Sequence, residues 1–115
     1  MIAVSFEVTP APGKRDDYLA HAARLRPLVE GTEGFVSVER FQSLTNPDKM
    51  LSLSFFEDES ALTRWRRTHE HRTAQSAGRD GVFADYRLRV AHVLRDYGKE
   101  DRQDAPDDSR ALHDG

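Results

Sequence analysis

The apolar residues of this chain repeat at every second position near its start and again from Phe83, and at helical spacing in two stretches between. That change of period limits the folds open to it. Ile2, Val4, Phe6 and Val8 alternate with Ala3, Ser5 and Glu7, the pattern of a strand with one face buried. Thr9 to Gly13 breaks the alternation, and from Lys14 the residues Tyr18, Ala22, Leu25 and Val29 recur as on one face of a helix. This helix runs to Arg26 or beyond, with Pro27 disturbing its last turn and Gly31 ending it. Phe35 to Leu44 and Leu51 to Phe56 are rich in β-branched and aromatic residues, and Pro47 between them stands where the first central position of a type I turn favours proline. The two runs therefore form a hairpin. Asp58 is placed to cap a second helix with Ala61, Leu62, Trp65 and His69 on its inner side, closed by Gly78 and Gly81. Phe83 to Tyr97 alternates again, setting Tyr86, Leu88, Val90 and Leu94 against Arg87, Arg89 and Arg95.

The order βαββαβ over residues 1–97 predicts an α+β, ferredoxin-like domain: a four-stranded antiparallel sheet with both helices on one face. The opposite face, expected to carry Phe35, Phe41, Met50 and Phe56, is too apolar to face water as one patch. A second copy of the same sheet is the economical cover, so a homodimer is expected. Residues 98–115 contain almost no large apolar side chains and read as an acidic, disordered tail.

Charge narrows the classes of partner. Setting aside three basic and six acidic residues of the tail leaves 14 of each in residues 1–97, a formally neutral domain and a poor match to a phosphate backbone. Arginines nonetheless concentrate from residue 64 to residue 95, a distribution suited to steering a small anion. The chain has no cysteine, which removes disulfides, thiolate nucleophiles and zinc-thiolate sites. No apolar run approaches the roughly 20 residues of a membrane helix, and the start lacks the pattern of a signal peptide, so the expected location is the cytoplasm.

The run Trp65 to Arg72 (WRRTHEHR) carries the chemistry. At about 100° per residue, Trp65, His69, Arg72 and Ser76 fall within roughly 40° of one line, and His71 and Gln75 form a neighbouring line. Flat apolar surface, a base and a cation can thus face one small volume. The plainer alternative is that Trp65 belongs to the core and the rest is a solvated face. His69 and His71, two apart on a helix, diverge and are unsuited to share one metal ion. His21 and His92 stand among solvated or edge positions and are given no role.

Taken together, the Pro-Gly-Lys turn into the first helix, Gly34-Phe35 leading to Glu39-Arg40-Phe41, and Leu51 to Phe55 resemble the antibiotic biosynthesis monooxygenase family. Phe56-Glu57-Asp58-Glu59 before Trp65, His71-Arg72 followed by Ala74-Gln75, and Asp85-Tyr86-Arg87 extend that resemblance over residues 2–97. It implies a dimeric α+β barrel. It also implies cofactor-independent oxidation of a planar aromatic or polyphenolic molecule by oxygen, which needs only a base, a cation and an apolar slot. On this reading His71 is the first choice for the base and His69 the second. Arg72 stabilises the anion, Trp65 stacks on the substrate, and Gln75, Phe83 and Tyr86 line the cavity. A non-catalytic ligand-binding module on the same fold is the alternative. A haem-degrading reading is weaker, because the counterparts of that branch's asparagine and histidine are here Glu7 and Gln75, which leaves haem only His69 or His71.

Overall fold

In the computed structural model, the backbone of residues 1–113 and the side chains of residues 1–69 and 81–110 are described. The elements are β1 (Ile2–Pro10), α1 (Arg15–Glu30), β2 (Phe35–Gln42), β3 (Met50–Phe56), α2 (Glu59–Asp80), β4 (Phe83–His92) and α3 (Asp107–His113). The strands form one sheet in the order β2-β3-β1-β4, with every neighbouring pair antiparallel. This is the expected βαββαβ arrangement of the ferredoxin-like fold.

Local chemistry accounts for the joints. Lys14 N–H donates to Ala11 O at 2.8 Å and Gly13 has φ 75°, so proline and glycine occupy the two central positions that a type II turn favours. Asp16 and Asp17 lie in the first turn of α1, where the helix dipole favours negative charge. Pro27 sits inside α1, and the helix continues through it to Glu30. In the hairpin, Lys49 N–H donates to Asn46 O at 2.9 Å across Pro47 and Asp48, the turn that the proline indicated. Asp58 Oδ1 accepts from Ala61 N–H at 2.8 Å, capping α2.

Both helices pack on the face of β1 that carries Ile2, Val4, Phe6 and Val8. Two apolar clusters hold them there. Ile2, Val4, Val29, Phe56 and Ala61 make one, with Phe35, Val38, Leu62 and Trp65 against it. Val8, Tyr18, Met50 and Val82 make the other, with Phe6, Leu19 and Phe83 against it.

The register corrects the expected second face. Phe56 pairs with Ile2, Met50 with Val8, and Phe35 with Phe56, so all three belong to the helix side. The outer face instead presents Leu51, Leu53 and Phe55 of β3, with Phe41 of β2 across from Leu51. Two strands end earlier than expected. β2 stops at Gln42 rather than Leu44, and β4 at His92 rather than Tyr97, with Leu94 86% exposed.

Beyond β4, where composition suggests a mobile tail, Arg102 donates to Gly98 O and Ser109 Oγ, and its guanidinium lies 5.3 Å from the Tyr97 ring centroid. Ala105 is buried within this segment, and α3 follows. Charged side chains bonded to nearby backbone do here what apolar residues do in the sheet.

Candidate functional site

β3 and β4 flank β1, and α2 connects them, so α2 crosses β1 on the helix side of the sheet. Trp65, one turn beyond the buried Ala61, is half-buried against the cluster around Ile2 and Val4. His69, one turn further, is also half-buried, and its ring lies 5.3 Å from the indole centroid at 51°. Trp65 and His69 therefore share one line on α2, as their spacing required. His71, Arg72 and Gln75, the remaining residues assigned to this helix, lie outside the described side chains.

The other end of the same face is aromatic. Phe83 packs edge-on against Phe6 at 5.8 Å and against Tyr18 at 5.8 Å. Tyr86 stands 5.7 Å from Phe6 and 6.3 Å from Phe83. Val4, in the Trp65 cluster, and Val8, in the Phe83 cluster, are four residues apart on β1, about 13 Å at strand spacing. Phe6 lies between them.

Cross-strand pairing supplies the rest of this surface. Phe6 is flanked by Ser52 on β3 and Leu88 on β4, and Val4 by Ser54 and Val90. Arg40 of β2 stands across from Ser52, and its Nε is buried without a hydrogen-bond partner among the described residues. On β4 the same face stays open to solvent, with Tyr86 62%, Leu88 53% and Val90 52% exposed. The helix side of the sheet is thus aromatic and aliphatic along β1 and β4, with Ser52 and Ser54 on its β3 side.

Two residues of α1 face this region that the pattern of charges had not singled out. Tyr18 is 3% exposed, and its hydroxyl is buried without a hydrogen-bond partner among the described residues. His21, expected at a solvated position, is buried instead. Arg26 lines a shallow hollow of about 490 Å³ at the open edge of β2 with Arg40, Phe41 and Phe55. His21 lies roughly 140° round the helix from Arg26. The signal was present in the sequence, because His21 follows Tyr18 by three and precedes Leu25 by four on the apolar stripe.

Other expected groups lie elsewhere. Arg87 and Arg89 pair with Glu7 and Ser5 and so belong to the outer face, away from Trp65. Arg64 is occupied with the Glu33 carbonyl at 3.0 Å. Glu7, the counterpart implied for the asparagine of the haem-degrading branch, is on the outer face as well. There its Oε2 accepts from Arg89 Nη1 at 2.7 Å and its Oε1 lies 3.5 Å from Lys49 Nζ. The hydrogen bond from Arg89, with the charge of Lys49 adding to it, holds the Glu7 carboxyl below the usual carboxylate range. Glu7 thus serves the outer surface of the sheet, and Phe6 is its neighbour on the site side.

Known proteins share this arrangement. The sequence profile described as antibiotic biosynthesis monooxygenase matches residues 1–77. A jasmonate monooxygenase from Pyricularia oryzae is 50% identical over 93 residues, covering 81% of this chain and 43% of that protein. The uncharacterized Bacillus subtilis protein YqjZ is 30% identical over 74 residues, covering 64% of this chain and 63% of its own length. The chain thus spans less than half of the first relative and under two thirds of the second. Among solved structures, Rv0793 from Mycobacterium tuberculosis superposes with a TM-score of 0.70 at 15% identity, over 84% of this chain and 98% of that one. That likeness speaks to the fold.

Proposed function

The chain belongs to the antibiotic biosynthesis monooxygenase family, and on that premise we propose that it is a homodimeric oxygenase that binds a small planar, polyphenolic or ketone-bearing molecule in a trough between α2 and the sheet and oxidises it with molecular oxygen without a bound cofactor. The observation that carries this reading is the pairing of Trp65 with His69 at one end of the trough and the rings of Phe6, Phe83 and Tyr86 at the other.

The inward serines add support. β3 turns Ser52 and Ser54 towards the helices and Leu51, Leu53 and Phe55 away from them. A strand covered on one face only would reverse that choice. The inversion fits a floor that needs polar groups at a binding site and an outer face that a second copy covers.

The chemistry asks little of the protein. His71, with His69 as the alternative, removes a proton from the substrate, and the resulting carbanion gives an electron to oxygen that the neutral molecule would not. Arg72 stabilises the substrate anion and the reduced oxygen beside it, and Trp65 holds the ring by stacking. Phe83 and Tyr86 line the slot, and Gln75 is assigned to substrate binding with them. Electron balance favours a substrate with an activated methylene. When dioxygen converts a methylene to a carbonyl, one oxygen atom stays on the carbon and the other leaves as water with both methylene hydrogens. All four electrons then come from the substrate, and no external reductant is needed.

The Pyricularia oryzae relative favours a second substrate reading, a jasmonate-like cyclopentanone carboxylate. Insertion of one oxygen atom into a C–H bond of such a molecule consumes two further electrons, which an added reductant must supply. Oxygen uptake separates the two readings. With an anthrone, uptake of one dioxygen per product formed without reductant, lost in His71→Ala by a factor of about 100 or more, supports the first. Turnover of jasmonate only when a reductant is present supports the second. Tight binding without turnover of either would leave a ligand-binding module and defeat the enzyme reading.

A further inference from the structure

We infer that the Tyr18 hydroxyl is a hydrogen-bond donor kept for an oxygen atom of the substrate, at the inner end of the trough. This rests on the reading of the trough as the substrate site. Tyr18 is 3% exposed, and its hydroxyl, with no accessible surface, meets no hydrogen-bond partner among the described residues. A buried hydroxyl in that state has lost its hydration without replacement, so it weakens the folded chain relative to a hydrogen in its place. Phenylalanine would pack the same ring edge against Phe83 at 5.8 Å and fill the same space beside Val8, Met50 and Val82, without that penalty. Packing therefore explains the ring of residue 18 and leaves its oxygen unexplained.

The surroundings indicate what the oxygen is for. Val8, Met50, Val82, Phe6, Leu19 and Phe83 pack in one apolar cluster with the Tyr18 ring. A donor set into such walls discriminates strongly, because a ligand that offers an acceptor there gains a bond that water cannot compete for, and a ligand lacking one leaves the donor unpaired. The ligand class is a planar or alicyclic molecule with a ketone or phenol oxygen at its inner edge. Access requires one ring to move. Tyr86 touches both Phe6 and Phe83 yet is 62% exposed, so it is the ring with solvent to swing into.

The test compares the full chain with its Tyr18→Phe variant, using 9-anthrone, jasmonate and 9,10-dihydroanthracene, the last matching anthrone in shape but lacking the ketone. Calorimetric titration is expected to show anthrone or jasmonate bound about tenfold more weakly by the variant, with dihydroanthracene unchanged between the two proteins. Without ligand, the variant is expected to melt at the same temperature or slightly higher. Equal anthrone affinity in the two proteins, an equal loss for dihydroanthracene, or a lower melting temperature for the unliganded variant would each overturn the assignment of Tyr18 alone. If the unaltered chain bound none of the three compounds, the functional reading would fall with it.

Discussion

Gly34 and Ala61 approach so closely that a Cβ built on Gly34 would stand 2.6 Å from the Ala61 Cβ. Gly34 also has φ 87°, a conformation that side-chain-bearing residues rarely adopt. Its carbonyl accepts from Glu57 N–H at 2.7 Å, and Arg64 reaches the neighbouring Glu33 carbonyl. The start of α2 is thereby fastened to the start of β2, which fixes where Trp65 meets the cluster around Ile2 and Val4 one turn later.

Gly34→Ala is accordingly expected to destabilise the fold by about 2–4 kcal/mol, combining backbone strain with an overlap that neither β2 nor the fully buried Ala61 can relieve cheaply. Urea titration measures the loss. Trp65 is the chain's sole tryptophan, so its emission reports whether α2 has shifted, and an unchanged stability would show that the joint is looser than the contact implies.

Asp58→Ala removes the acceptor for Ala61 N–H and is expected to cost about 1 kcal/mol. Asp58→Asn or Asp58→Ser should recover most of it, since either retains an oxygen acceptor. Thermal melts of the three variants decide the point, and a serine variant no better than alanine would count against capping.

Glu7 makes stability depend on pH in a predictable direction. Its carboxyl titrates below the ordinary value of 4.5 in the folded chain, chiefly because Arg89 donates a hydrogen bond to it. The folded state therefore holds that proton less readily than the unfolded state. The contribution is complete above the unfolded pKa and disappears as pH falls through the folded one. The stability difference between the unaltered chain and Glu7→Gln should be flat near neutrality and shrink on acidification from just above pH 4.5 downward. A difference that stayed constant to strongly acidic pH would rule out this linkage.

Phe55→Lys or Leu53→Lys places a charge on the outer face of β3 without touching the helix-side core. If a second copy covers that face, sedimentation should find the unaltered chain dimeric and both variants largely monomeric, because an unpaired buried lysine costs several kcal/mol. An identical sedimentation coefficient for all three would place the association elsewhere or remove it.

Much of the architecture was legible in local pattern. Asp58 at its cap, Pro47 in its turn and the apolar stripe from Tyr18 to Val29 all depend on residues within a few positions of one another. The pairing of Trp65 with His69 is legible for the same reason, a spacing of four on one helix. Faces and distant pairs are harder. Phe35, Met50 and Phe56 fall on the side opposite to expectation because alternation gives two registers and does not say which one meets the helices. The bulge between Phe35 and Ser37 resets the phase of β2 as well. His21 reads as solvated when its charged neighbours are weighed above its place on the stripe from Tyr18 to Leu25. The Glu7–Arg89 contact joins strands 82 residues apart in sequence.

Sequence alone determined the succession of strands and helices, their caps and turns, and the alignment of indole and imidazole on α2, because periodicity and turn chemistry act over one or two turns of chain. Tertiary structure alone decided that serines rather than leucines of β3 look towards the helices, that Glu7 is held by Arg89 on the far side of the sheet, and that the Tyr18 hydroxyl is buried without a hydrogen-bond partner among the described residues. Each of these depends on which strand edge meets which, and that is set by burial summed over the whole sheet rather than by any short stretch of residues.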